Sequence, residues 1–413
     1  MSKILLAEPN FPIPAKSKNH KNFLPIGLLK IAAYLRSNGV EIKITRGHSD
    51  NGLLSQKEII DFKPDEVWVT SLFTYWSKYV KDTVEYFRCL FPDAKIIVGG
   101  IYASLMPKHC KAYTGCDEVC EGVMEEAEKY QPAYYLLKSI NSNNIDYQII
   151  HASRGCKRKC TFCGVWKIEE QFIPKKTIKQ EITTKKIVFY DNNLLFNPFI
   201  EGILDELIDL KQTQKILWCE SQSGFDGRVL LEKPHLANKI REAGFRYPRI
   251  AWDWKYDQSN SVRDQIDLFT GAGYKTSDIS IFMVYNWDIP FEEMEKKRRK
   301  CWEWKVQIAD CRYRPLDQTY DNYNPYKTEQ TSDDYYIHHI GGWTDSLIRE
   351  FRKNVRRQNI CVRQRVPFYS KTLEHKQADR DIIRELSLLS TMSEKENYLR
   401  SLNVDYWFPK KRN

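Results

Sequence analysis

From Lys3 to about Tyr135, short apolar runs alternate with longer stretches whose apolar residues recur at helical spacing. KILLAE, VEIKIT, DEVWVTSLF and AKIIVGG read as buried strands, while PIGLLKIAAYLRSNG and YVKDTVEYFRCLF read as helices. Strands alternating with helices argue for βαβ crossovers around a parallel sheet, so residues 1–140 are expected to form a doubly wound, Rossmann-like domain. The helix predicted over 25–37 stops at Asn38-Gly39. The strand predicted over 95–98 runs into Gly99-Gly100, where small residues let the backbone turn close to a ligand or a helix.

Residues 136–147, LLKSINSNNIDY, are polar and aperiodic, and mark a linker. At Gln148 the rhythm restarts, and six strand-then-helix repeats follow: QIIHAS, KKIVFYD, KILWCES, RIAWDW, ISIFMVYN and VQIADCRYRPL lead them. Residues 148–316 are therefore expected to build a partial (β/α)6 barrel of TIM type, with reactive groups on the loops after the strands. Beyond, residues 317–413 lose the pattern and read as an irregular and helical C-terminal extension. The fold class is α/β.

Composition narrows the setting. No apolar run approaches the roughly 18 residues of a membrane span, and the start, MSKILLAEPNF, lacks the basic-then-apolar layout of a secretory signal, so a cytoplasmic protein with no membrane partner is expected. In a reducing compartment eleven cysteines point to metal ligation or buried thiols rather than a disulfide framework. The formal charge of +10 favours an anionic partner without identifying one.

Cysteine spacing carries the chemistry. HASRGCKRKCTFCGVW sets Cys156, Cys160 and Cys163 in the order Cys-x-x-x-Cys-x-x-Cys directly after an apolar strand. One compact loop then offers three soft thiolates, the ligands that iron–sulfur clusters prefer, and leaves a fourth iron open for a chelating small molecule. The competing reading is zinc, whose structural sites normally gather four protein ligands in paired knuckles. No second knuckle follows, because Cys219, Cys301, Cys311 and Cys361 each stand alone in sequence.

With Phe162 before the last cysteine, the segment resembles the signature of the radical S-adenosylmethionine superfamily, Cys-x-x-x-Cys-x-aromatic-Cys. The resemblance covers about 148–316. It implies a 4Fe-4S cluster held by Cys156, Cys160 and Cys163, with Phe162 lying against the adenine of S-adenosylmethionine. It further implies an external electron donor of flavodoxin or ferredoxin type, reductive cleavage of the sulfonium, and hydrogen abstraction from substrate by a 5′-deoxyadenosyl radical. Relatives hold the cofactor with polar groups at strand ends, which here include Asp191, Asn192, Glu220, Gln222 and Asp253. Arg249 is a further candidate, for the cofactor carboxylate. The glycine-glycine-glutamate segment of many relatives is replaced by Asp191-Asn192-Asn193.

A doubly wound domain ahead of the cysteine barrel resembles the cobalamin-binding type of these enzymes, and so implies cobalamin and methyl transfer. Thr70 and Leu72, followed by Gly99 and Gly100, match the second and third parts of the cobalamin pattern. The first part departs from it: in RGHSDNG, Arg46 stands where an Asp is wanted and Gly52 comes one residue late, leaving His48 as either a cobalt ligand or a loop histidine. Cys110, Cys116 and Cys120 read as isolated thiols, with a second cluster as the alternative.

Near the C-terminus, Arg349, Arg352, Lys353, Arg356 and Arg357 recur at helical spacing opposite Leu347, Ile348, Phe351 and Val355. A solvated amphipathic face accounts for them. The alternative is a phosphate-binding face, joined by Arg363 and Arg365, for a nucleotide or RNA substrate. The substrate, small molecule or nucleotide, is not disclosed. The rival function is a zinc-containing nucleic-acid-binding protein.

Overall fold

The computed structural model describes residues 2–14, 20–47, 54–137, 145–365, 382 and 384–402. Two compact units emerge: Met1–Ser223 with Arg314–Asn324 and Ser332–Tyr336, and Gly224–Tyr313 with Pro325–Thr331 and Ile337–Asn413.

The first unit opens with a five-stranded sheet of β1 (Lys3–Glu8), β2 (Glu41–Arg46), β3 (Glu66–Ser71), β4 (Lys95–Gly100) and β5 (Glu118–Cys120), in the order β2-β1-β3-β4-β5. Every neighbouring pair is parallel, which requires the crossovers read from the sequence. Alternation along β1 divides the core in two. Leu5 and Ala7 join Val67, Val69, Ile96 and Val98 beneath α2 (Gln56–Phe62), α3 (Ser77–Leu90), α4 (Ile101–Leu105) and α5 (Pro107–Thr114). Ile4 and Leu6 point to the other face, under Leu28, Leu29 and Ala32 of α1 (Ile26–Ser37).

That second face is also covered from further along the chain. After α6 (Glu125–Glu128), the strands β6 (Gln148–Ile150), β9 (Lys186–Phe189) and β10 (Trp218–Ser221) form a parallel sheet in the order β10-β9-β6. Ile149 of β6 and Val188 of β9 pack into the same core as Ile4 and Leu6. The first compact unit therefore runs through Ser223, past the linker read at 136–147, of which residues 138–144 lie outside the described ones. Between β6 and β9 lie the antiparallel pair β7 (Ser153–Arg154) and β8 (Ile173–Pro174) and the short helix α7 (Val165–Ile168). Helix α8 (Ile200–Gln212) separates β9 from β10.

The second unit carries β11 (Arg249–Ala251), β12 (Ser280–Tyr285) and β13 (Gln307–Arg312), parallel in that order. Two helices follow β10, α9 (Gly227–Glu232) and α10 (Leu236–Glu242), divided where Pro234 has no N–H to continue a helix. Helices α11 (Ser259–Gly271) and α12 (Phe291–Glu303) follow β11 and β12. The region 148–316 thus holds one three-stranded parallel sheet in each unit and the antiparallel pair β7-β8.

Helix α13 (Asp345–Gln364) starts at a Thr344 cap and buries Ile348, Phe351 and Val355, while Arg352, Lys353 and Arg356 are exposed. Arg349 instead pairs with Asp345 at 2.9 Å. A final helix, α14 (Met392–Ser401), is capped by Thr391 and Glu394. Among the described residues no helix is long and apolar enough to cross a membrane.

Candidate functional site

The loop Gly155–Gly164 leaves β7 and returns through α7. Its shape is set at Gly155, whose φ of +77° is disfavoured for L side chains, and where an added Cβ would stand 2.2 Å from the carbonyl oxygen of Gln171. The loop start is anchored by a residue the sequence did not single out. Glu169 accepts the Gly155 N–H at 2.6 Å and the Asn192 side-chain amide at 3.1 Å, and pairs with Arg154 at 2.9 Å. Nothing in the aperiodic segment IEEQF signals this role, which depends on the chain folding back through α7.

Cys156, Cys160 and Cys163 are partly exposed. The Arg158 N–H donates to Cys156 Sγ at 3.4 Å, and Lys157, Arg158 and Lys159 lie between the first two cysteines in sequence. Trp166 donates its indole N–H to the Cys160 carbonyl at 3.1 Å and so fixes the middle of the loop. Among the described residues no three His, Cys, Asp or Glu side chains stand close enough to hold one metal ion. Three cysteines on one loop are the soft donors that an iron–sulfur cluster takes, each thiolate on a different iron.

Strand-end residues divide by their partners. Asp191, fully buried after β9, accepts from the N–H groups of Ala152 (3.0 Å) and Ser153 (2.5 Å) and from the Ser153 hydroxyl (2.7 Å). Its carboxyl ties β9 to the segment leading into the cysteine loop, and burial pushes its pKa up to about 6 against these donors. Asn192 is held by Glu169. Glu220 in β10 is buried, forms an ion pair with Lys21 and accepts from Gln222 at 3.0 Å. In the second unit, burial raises Asp253 to about 6, opposed by Lys297. Lys297 is itself buried and lowered to about 8, its ammonium donating to the carbonyls of Trp252 (2.6 Å) and Trp254 (2.8 Å). Arg249 is the first residue of β11, at the opposite strand end from Asp253, and so stands away from the edge where the sequence reading would use it. Phe162 is partly exposed.

At the corresponding edge of the first sheet, Gly99 and Gly100 close β4 beside Thr70 and Ser71 of β3. Gly100 has φ +98°, and a Cβ there would sit 2.3 Å from the Ser71 carbonyl oxygen. The Ser71 hydroxyl donates to the Gly99 carbonyl at 2.7 Å and accepts the Ala103 N–H at 3.1 Å, stitching the start of α4 to the sheet. Thr70 and Leu72 are half-buried. The cysteine loop reaches this edge: a Cβ on Gly164 would meet Leu105 of α4 at 3.3 Å.

The first part of the cobalamin pattern takes a different form. Arg46 is buried and forms an ion pair with Glu8 of β1, while donating to the Phe23 carbonyl at 3.0 Å. It is thus committed to the core of the sheet; His48 and Gly52 lie outside the described residues. Cys110 and Cys116 are buried within hydrogen-bonding reach of each other, an interaction that lowers Cys116 to about 6 and raises Cys110. Cys116 precedes β5 and Cys120 ends it.

No curated protein matches the chain. Among solved structures, a cobalamin-binding protein from Desulfitobacterium hafniense DCB-2 is similar at 19% identity over 31% of this chain, with a TM-score of 0.21. The chain spans about half of that protein's length, 55%. Residues 19–130 match the family model of the B12 binding domain, and the N-terminal part of the chain carries that domain.

Proposed function

We propose that the chain is a radical S-adenosylmethionine enzyme of the cobalamin-binding type, in which Cys156, Cys160 and Cys163 each ligate one iron of a 4Fe-4S cluster. The observation that carries this reading is the meeting of two edges: the loop bearing the three cysteines packs through Gly164 against α4, directly after Gly99-Gly100 of the B12-binding domain. Such a cluster supplies the electron that cleaves S-adenosylmethionine, and cobalamin supplies a methyl carrier.

The chain's own residues supply the rest. Glu169 and Gly155 hold the start of the loop in a fixed curve. Phe162 offers a ring to the adenine, and the small residues at Gly99-Gly100 leave the sheet edge open to a large flat ligand. Asp191 acts on the cofactor only through the backbone it braces at Ala152 and Ser153. In this reading each unit contributes three parallel strands, β6, β9 and β10 from the first and β11, β12 and β13 from the second, to a partial (β/α)6 barrel. The acceptor is a small molecule or nucleotide, and the electron comes from a flavodoxin- or ferredoxin-type partner.

Anaerobic reconstitution with iron and sulfide, followed by S-adenosylmethionine and a reductant, is expected to give 5′-deoxyadenosine or S-adenosylhomocysteine. A protein that takes up no iron and no sulfide refutes the reading, as does undiminished product from the triple Cys156→Ala, Cys160→Ala, Cys163→Ala variant. Added hydroxocobalamin is expected to remain bound through gel filtration, seen in its visible spectrum.

A further inference from the structure

A cavity of about 620 Å³ opens in the N-terminal unit among α1, α6 and the β7–β8 pair, within the usual size range of small-molecule sites. Its charges are matched. Lys30 pairs with Glu128 at 2.9 Å, Arg154 with Glu169 at 2.9 Å, and Lys175 with Glu181 at 2.7 Å. With the exposed Lys129, Glu125 and Glu170 included, the lining holds five carboxylates against four cations, which leaves no surplus positive charge for a phosphate or carboxylate ligand. Ile149, Ile150, Ile168 and Ile173 supply apolar wall.

Against this balance one side chain stands out. His151 lines the cavity and is only 5% exposed. Its Nε2 lies 2.8 Å from a terminal nitrogen of Arg154. A guanidinium only donates, so Nε2 accepts, the ring is neutral, and the proton resides on Nδ1. Burial and the Arg154 charge push the imidazole well below its ordinary pKa, in keeping with that form. Yet Nδ1 has no hydrogen-bond partner, and neither does the neighbouring Nε of Arg154. A buried donor left without an acceptor is costly, and it persists where a ligand or water completes it.

We propose that this cavity binds an uncharged organic molecule whose carbonyl oxygen accepts the Nδ1–H of His151. A carbonyl supplies the missing lone pair without adding charge to a balanced lining, and the isoleucines receive an apolar body. The site shares Arg154 and Glu169 with the anchor of the cysteine loop.

Benzamide and benzoate, nearly identical in shape but differing by one charge, test this on the full-length protein labelled with ¹⁵N-histidine. The His151 resonances are identified by their absence from a His151→Gln sample. Millimolar benzamide is expected to shift the His151 Nδ1 signal saturably, with benzoate at least tenfold weaker. An unmoved signal up to the solubility limit of benzamide means that water alone completes the donor and overturns the proposal. Tighter binding of benzoate overturns it too, because the site then takes an anion. A His151→Phe variant that keeps its thermal midpoint is expected to lose benzamide binding, and retained binding there refutes the assigned contact.

Discussion

Replacing Glu169 by alanine is the most direct probe of how the cysteine loop is held. The side chain is 15% exposed and accepts from Gly155, Asn192 and Arg154 at once. Hydrogen bonds to a charged acceptor contribute about 1.5–3 kcal/mol each in net terms, but the three share one carboxylate and Arg154 retains Glu128 at 3.7 Å, so the contributions do not add. A local cost of about 3 kcal/mol follows for Glu169→Ala, left mainly at the Gly155 N–H, which loses its acceptor in a buried position. Glu169→Gln keeps one carbonyl oxygen for Gly155 and is expected to cost about 1 kcal/mol. Hydrogen exchange read by mass spectrometry on peptides covering 150–164 reports this opening directly: about 3 kcal/mol corresponds to roughly 100-fold faster exchange for the alanine variant, and about 1 kcal/mol to roughly fivefold for glutamine. Exchange in Glu169→Ala within threefold of the parent protein would refute the anchoring role.

Other expectations follow from the same contacts. Asp191 has a folded pKa raised to about 6 over an unfolded value near 3.9, so the native state holds the extra proton between them and its stability falls as pH rises from about 4 to about 6, by about 3 kcal/mol. The stability advantage of the parent protein over Asp191→Asn should therefore shrink across that window in urea titrations; an advantage that grows instead would mean that the three donors outweigh burial. Gly100→Ala, with its Cβ 2.3 Å from backbone at φ +98°, should cost about 3 kcal/mol or more, whereas Gly202→Ala in α8, with nothing within 4 Å, should stabilise by about 0.5–1 kcal/mol. Thermal midpoints that move alike for both would contradict the packing argument. Arg46→Met should cost about 3–5 kcal/mol by stranding buried Glu8, and the double variant Glu8→Leu, Arg46→Met should recover part of that loss in denaturant midpoints.

Legibility in the sequence followed the range of the interaction. Short apolar runs placed β1 to β4, and Asn38-Gly39 placed the end of α1, because both signals lie within a few residues of what they specify. The cysteine spacing likewise located three thiols on one loop. What escaped depends on chain segments far apart in sequence. Lys21 reaches Glu220 across 199 positions, and the roles of Glu169 and Lys297 exist only once α7 and α12 have folded back. Polar residues at strand ends were found as a class, but the class mixes a brace such as Asp191 with groups placed differently, and only hydrogen-bond partners separate them. Arg249 opens β11 as it opens RIAWDW in the sequence, at the strand end away from Asp253.

The packing of Ile149 and Val188 onto Ile4 and Leu6 bears on how such a chain is dissected in practice. A fragment cut at the polar segment after Leu137 would carry the whole B12-binding match yet bare one greasy flank to solvent, and should precipitate or recruit another copy to cover it. The smallest honest expression unit reaches at least to Ser223, and grafting residues 19–130 onto an unrelated enzyme would demand a substitute for the two missing strands.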